Sequence, residues 1–147
     1  ATTAKTIVPP ATFTLFERPY SLVPFDEMKD LVRRRGTMDA QFLSIDARPN
    51  AAFRAGHIPD AINIPWTANL TADHPQVFRD EETLRRLYVG AGVTRDAIVI
   101  TYCRTGMEAS MTYFVLRSLG YDIALFDGSM TQWTKSKETV VVMNDDR

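Results

Sequence analysis

The side chains best placed for chemistry lie in one short run, Tyr102-Cys103-Arg104-Thr105-Gly106-Met107-Glu108, which holds the only cysteine of the chain. A thiolate is a strong nucleophile, and a thiol gives up its proton most readily beside a helix N-terminus or a cation. Arg104 follows Cys103 directly, and Gly106 allows the backbone to bend so that successive N–H groups converge on an anion. The chemistry on offer is nucleophilic attack with the transferred group held covalently on sulfur. The rival reading is an inert cysteine, since free cysteines are among the most buried residues. A glycine-containing turn between strand and helix favours the reactive reading. A single cysteine excludes an internal disulfide and argues against a thiolate zinc site, so no metal is expected.

Such a loop needs a scaffold that points it at solvent. Residues 97–102, Ala-Ile-Val-Ile-Thr-Tyr, read as a buried strand of a parallel sheet. Residues 107–119 have helical spacing, with Met107, Met111, Phe114, Val115 and Leu119 expected as the buried face. Upstream, Pro24 to Arg35 reads as a helix with Phe25, Met28, Leu31 and Val32 as its apolar stripe. Its basic end, Arg33-Arg34-Arg35, suits a helix C-terminus or, alternatively, an anion-binding patch. Strands are expected at 41–46, 62–65 and 121–126, with helices after Pro49, at 80–90 and around 128–133. Residues 67–79 are polar and loop-like. Strands alternating with helices imply an α/β domain with a mainly parallel sheet and helices on both faces. Ligands in such sheets sit beyond the carboxyl ends of the strands, where Cys103 falls.

The 147 residues, 45% of them apolar, suit one compact domain with a real core. A net charge of −1 gives no reason to expect nucleic acid or a membrane surface as partner. No apolar run approaches the roughly 20 residues that span a bilayer. Residues 1–20, rich in Thr, Ala and Pro, read as a linker or arm, and 21–134 as the catalytic domain. The tail, 135–147, carries Val140-Val141-Val142, which could add an edge strand or pair with another chain. The chain begins at Ala1, so an export signal would already be missing; the compartment stays open, with cytoplasm favoured over periplasm.

Four landmarks in order resemble the rhodanese (sulfurtransferase) family: Asp46-Ala47-Arg48 closing a strand; Gly56-His57-Ile58-Pro59 before Ala61-Ile62-Asn63-Ile64-Pro65; the loop Cys103 to Glu108; and Asp127-Gly128-Ser129 followed by Trp133. The resemblance covers roughly residues 22–133 and is nearest the C-terminal, catalytic half of tandem-domain thiosulfate sulfurtransferases. It implies a three-layer α/β domain with about five strands. It also implies a double displacement: Cys103 takes the outer sulfur of thiosulfate or a similar donor, releases sulfite, and passes the persulfide sulfur to cyanide or a thiol. Arg104 would supply positive potential, and loop residues Arg104, Thr105, Gly106, Met107 and Glu108 would cradle the persulfide. No cofactor is required beyond the covalent persulfide. The linker agrees with a further N-terminal domain of the same type.

This chain departs from the family pattern in places. Glu108 stands where the tandem enzymes often carry Thr or Gln; it could cap the helix start or contact a cationic or polar acceptor. Asp60 replaces a usual glycine. Ala52 stands where longer members can place a substrate-binding arginine, which leaves Arg48 as the nearby basic candidate for substrate binding or for a structural ion pair with Asp46. His57 and His74 read as structural or solvent-facing. A phosphatase would need an arginine six positions after the cysteine, where this chain has Ala109. 3-Mercaptopyruvate ranks below thiosulfate as donor, because Arg104-Thr105 replaces the small Gly-Ser typical of those enzymes. A different class of function is a persulfide carrier or regulatory module that receives sulfur from a protein partner.

Overall fold

The computed structural model describes residue 12 and residues 21–37 and 42–143; most of the expected N-terminal arm and the last four residues lie outside these. Four strands, β1 (Phe42–Asp46), β2 (Ile62–Asn63), β3 (Ile98–Tyr102) and β4 (Ile123–Leu125), form a wholly parallel sheet in the order β2-β1-β3-β4. Among the described residues, five α-helices surround it: α1 (Phe25–Arg34), α2 (Asn50–Ala55), α3 (Glu81–Gly90), α4 (Met107–Ser118) and α5 (Ser129–Trp133). About five strands were expected, and four are found among the described residues. The fifth is reduced to the parallel bridge between Leu22 and Leu125, because Pro24 follows at once and α1 begins at Phe25.

The central strands dictate the layers. All five residues of β1 are buried, so its two faces each need a cover. Leu43, Ile45, Val99 and Ile123 pack on one side with Leu84, Tyr88 and Leu116 from α3 and α4. Phe42, Ile100 and Tyr102 pack on the other with Met28, Phe53, Phe126 and Trp133. The alternation of side chains along each strand thus yields a three-layer domain.

Two sequence expectations are corrected here. In α4 the buried residues are Ala109, Thr112, Val115 and Leu116, with Leu119 just beyond, whereas Met107 is 80% exposed and Phe114 56% exposed. The helix turns this set inward and leaves Met107 and Phe114 facing out, with Met111 half-buried; Phe114 meets Phe78 with ring centroids 5.6 Å apart. Residues 67–79 are less loop-like than their polarity implied: a 3₁₀ turn spans Trp66–Asn69, and Leu70 bridges Phe78. Asn69 is fully buried because its side chain accepts a hydrogen bond from the Tyr88 hydroxyl (2.6 Å).

Local chemistry fixes the ends. Asp80 caps α3 by accepting from Thr83 N–H at 2.9 Å, which holds the Asp80 carboxyl below its usual range. The described part of the tail is tied down: Val142 and His57 exchange two backbone hydrogen bonds of 2.9 Å, and Trp133 Nε1 donates to Val140 O. These contacts press Val141 against the Gly56 backbone so closely that a Cβ at Gly56 would stand 2.7 Å from Val141 Cγ1.

Candidate active site

Strand β3 ends at Tyr102 and delivers Cys103 to the carboxyl edge of the sheet, fully buried against Ala47, Ala109 and the partly buried Trp66. Two backbone bonds anchor it. Cys103 N–H donates to Ser129 Oγ (3.1 Å), and Cys103 O accepts from Met130 N–H (3.1 Å). Ser129 in turn donates its hydroxyl to Phe126 O (2.9 Å), so a wholly buried serine ties the cysteine to the start of α5. Arg104 O is held by both the N–H and the hydroxyl of Thr131.

The loop then reverses at Gly106, whose φ of +87° lies in the left-handed region that L side chains disfavour. The site forbids a side chain for a second reason, since a Cβ there would stand 2.3 Å from Asp127 Oδ1. Beyond the turn, α4 runs twelve residues with its N-terminus at the loop. Among the described hydrogen bonds, none is donated by the backbone N–H groups of Arg104 through Ala109; the first to be paired is Ser110, to Gly106 O. Six consecutive unpaired N–H groups beside a thiol, at the positive end of a helix, form a cradle for an anion on sulfur.

The expected site residues fall as follows. Cys103 lies beneath the loop, while Arg104, Thr105 and Met107 are exposed around it, and Gly106 is buried at the turn. The Arg104 guanidinium has no ion pair among the described residues, and Arg104 lines a cleft beside the loop. Glu108 is half-buried in the first turn of α4 with no described hydrogen bond; the helix start carries no side-chain cap, so capping by Glu108 through a hydrogen bond is not what the structure shows. Arg48 is engaged: its Nε and Nη2 grip the buried Asp46 carboxylate (Nη2–Oδ2 2.6 Å), and Nη2 also donates to Gly56 O at 2.7 Å. Burial alone would lower the Arg48 guanidinium, but the bond and charge of Asp46 outweigh it and hold the group above its usual range. Asn63 Nδ2 donates to Asp46 O and Arg48 O and so pins this turn from β2. His57 is a structural residue, stacked on Phe53 at 3.9 Å with Nδ1 3.0 Å from Phe53 O, and His74 is exposed.

Beside the loop lies a cleft of about 570 Å³, lined by Arg48, Arg104, Lys135, Met130, Ala55 and Val141 among others. A second cavity, of about 360 Å³, sits at the opposite, amino-terminal ends of β3 and β4, away from Cys103. Sequence reasoning missed Lys135, Trp66 and the tail as parts of the site. Asp127-Gly128-Ser129 was the signal for the anchor, but nothing in the spacing revealed that Ser129 holds the Cys103 N–H.

Residues 26–136 match the family model described as "Rhodanese-like domain". The "Sulfur carrier protein TtuD" of Thermus thermophilus is 42% identical over 90 residues, which are 60% of this chain and 31% of that protein. A Mycobacterium leprae protein named "Putative thiosulfate sulfurtransferase" is 46% identical over 82 residues, 54% of this chain and 29% of that one. The chain therefore spans about three tenths of the length of these curated relatives. Among solved structures, the 3-mercaptopyruvate sulfotransferase SseA of Escherichia coli superposes with a TM-score of 0.63 at 28% identity, over 83% of this chain and 47% of that one. An anaerobic ergothioneine biosynthesis enzyme from Chlorobium limicola gives 0.74 at 18% identity, over 87% and 33%, a likeness of fold alone.

Proposed function

The chain belongs to the rhodanese-like domain family, and from that premise we propose that it is a sulfurtransferase that moves sulfane sulfur from thiosulfate or a similar donor to cyanide or a thiol. The observation that carries this reading is the row of unpaired N–H groups, Arg104 to Ala109, around a thiol anchored by Ser129. Cys103 Sγ attacks the outer sulfur of the donor. A new S–S bond forms, the donor's S–S bond breaks, and its electron pair leaves on sulfite. The persulfide anion that results is stabilised where the loop N–H groups and the α4 dipole converge. The acceptor then attacks the outer sulfur, and the electron pair of the Cys103 S–S bond returns to Sγ. Arg104 supplies attraction for an anionic donor at the rim. Each step uses charge stabilisation already built into the backbone, and none needs a histidine base.

Purified protein exposed to thiosulfate is expected to gain the mass of one sulfur atom, to lose it to cyanide as thiocyanate, and to show neither event as Cys103→Ser. An unchanged mass for the wild type sinks the reading. The name of the Thermus relative favours a second reading, a persulfide carrier fed by a protein partner. Turnover with small donors would then be negligible while transfer from a persulfidated partner is fast; efficient thiosulfate turnover rejects it.

A further inference from the structure

The chain has two tryptophans, and they use their indole N–H groups differently. Trp133 is buried and donates Nε1–H to Val140 O at 2.9 Å, as a buried indole ordinarily does. Trp66 stands at the site, packed on the cluster of Ala47, Cys103 and Ala109, and its N–H makes no hydrogen bond among the described residues. It is not among the side-chain polar atoms buried without a partner, so it is open to solvent. Ala47 and Ala109 offer only methyl groups, which makes Trp66 the largest side chain packed on the cysteine cluster.

The local structure holds this residue firmly. Pro65 precedes the 3₁₀ turn Trp66–Asn69, and Trp66 N–H donates to Ala47 O at 2.8 Å. Ala47 N–H in turn donates to Tyr102 O (2.9 Å), one residue before Cys103. Trp66 O accepts from Asn69 Nδ2 (3.0 Å), and the Tyr88 hydroxyl fixes Asn69 from α3 (2.6 Å). Asn69 and Tyr88 are both fully buried. A buried polar pair that fixes one turn leaves Trp66 preorganised beside the sulfur, with an unused hydrogen-bond donor.

We infer that Trp66 is a specificity residue for oxygen-bearing sulfur donors: its ring walls Cys103, and its Nε1–H binds an oxygen of the sulfite group that leaves. This deepens the sulfur-transfer reading and rests on it for the identity of the step, whereas its observations are independent of the loop N–H groups. Cys103 Sγ bonds to the outer sulfur of thiosulfate, the old S–S bond breaks, and its electron pair leaves on sulfite. The charge gathers on the sulfite oxygens, where a fixed N–H stabilises it as it develops. With a persulfide as donor the same bonds form and break, but the electrons leave on a thiolate. That leaving sulfur carries no oxygen for the indole to bind.

Trp66→Phe keeps an aromatic ring and removes the N–H. Rates of sulfur loading on Cys103 are compared for thiosulfate and for glutathione persulfide. Loading efficiency with thiosulfate should fall about tenfold, the scale of one hydrogen bond to a charged group, and that with glutathione persulfide should hold within about twofold. Equal losses with both overturn the assignment, because a merely structural ring does not tell them apart. A binding arm needs no sulfur transfer. Cys103→Ser protein is titrated with thiosulfate at constant ionic strength and followed through its two indole N–H resonances, assigned through the backbone. The Trp66 signal should shift saturably while that of Trp133 stays in place. A Trp66 signal that does not move overturns the contact, whether or not Trp66→Phe folds. Should the wild type take no sulfur from either donor, the sulfur-transfer reading falls, and the indole signal still decides the contact.

Discussion

Ser129 carries more of the site than its size suggests. Its hydroxyl accepts from the Cys103 N–H and donates to Phe126 O, and the residue is fully buried at a φ of +50°. Ser129→Ala strands the buried Cys103 N–H, while Phe126 O keeps the backbone N–H of residue 129, so unfolding free energy should fall by about 1–3 kcal/mol in denaturant titrations. As a positioning residue it should also lower the rate of sulfur loading on Cys103 without changing the thiosulfate concentration at half-saturation. Loading that proceeds at the wild-type rate would show the bond to be structural only. At this scale the sequence was informative where chemistry is local: a lone thiol, a neighbouring arginine and a glycine in one turn. It was mute where the partner lies 26 residues away, as Ser129 does from Cys103, because no spacing rule connects them.

Helix α4 shows how an element can be placed correctly and oriented wrongly. Residues 107–119 carry apolar side chains on more than one face, so periodicity defined the helix but not which stripe faces the sheet. The decision belongs to packing. Ala109 is fully buried in the same cluster as Cys103, and Leu116 lies in the core with Val99 and Ile123. Met107→Ser should therefore change stability by less than about 0.5 kcal/mol, whereas Leu116→Ala should cost about 2–5 kcal/mol; both are read from urea midpoints. Strand positions, by contrast, were legible, since short apolar runs bounded by Pro and Gly admitted one reading. Among the described residues the fifth strand shrinks to the Leu22–Leu125 bridge, because Pro24 lacks an N–H and α1 begins at Phe25.

For the molecule as a whole, two buried tyrosines on opposite faces of the sheet couple stability to alkali. Burial pushes the Tyr88 hydroxyl up to about 12 and raises Tyr102 as well, Tyr102 being further raised by Asp46. The folded chain thus holds these protons more tightly than the unfolded one. Their contribution is complete below the unfolded value near 10 and is lost as pH rises through the folded values. Thermal midpoints should be insensitive to these groups near neutrality and drop above about pH 10, with Tyr88→Phe flattening part of the decline. A decline of the same steepness in that variant would assign the alkaline instability elsewhere.

The complete burial of Cys103 bears on what cannot happen to it. A persulfide carries the reactive sulfur about 2 Å, one S–S bond length, beyond Sγ. A bulky thiol that can touch this outer atom is too broad to follow it down to Sγ. Discharge then proceeds at the outer sulfur alone, and the dead-end mixed disulfide between acceptor and enzyme is starved for want of reach. Incubating unloaded protein with oxidised glutathione should leave Cys103 unmodified under conditions that readily derivatise a surface thiol, as intact mass would show. Depth thus shields turnover from the one disulfide that would end it.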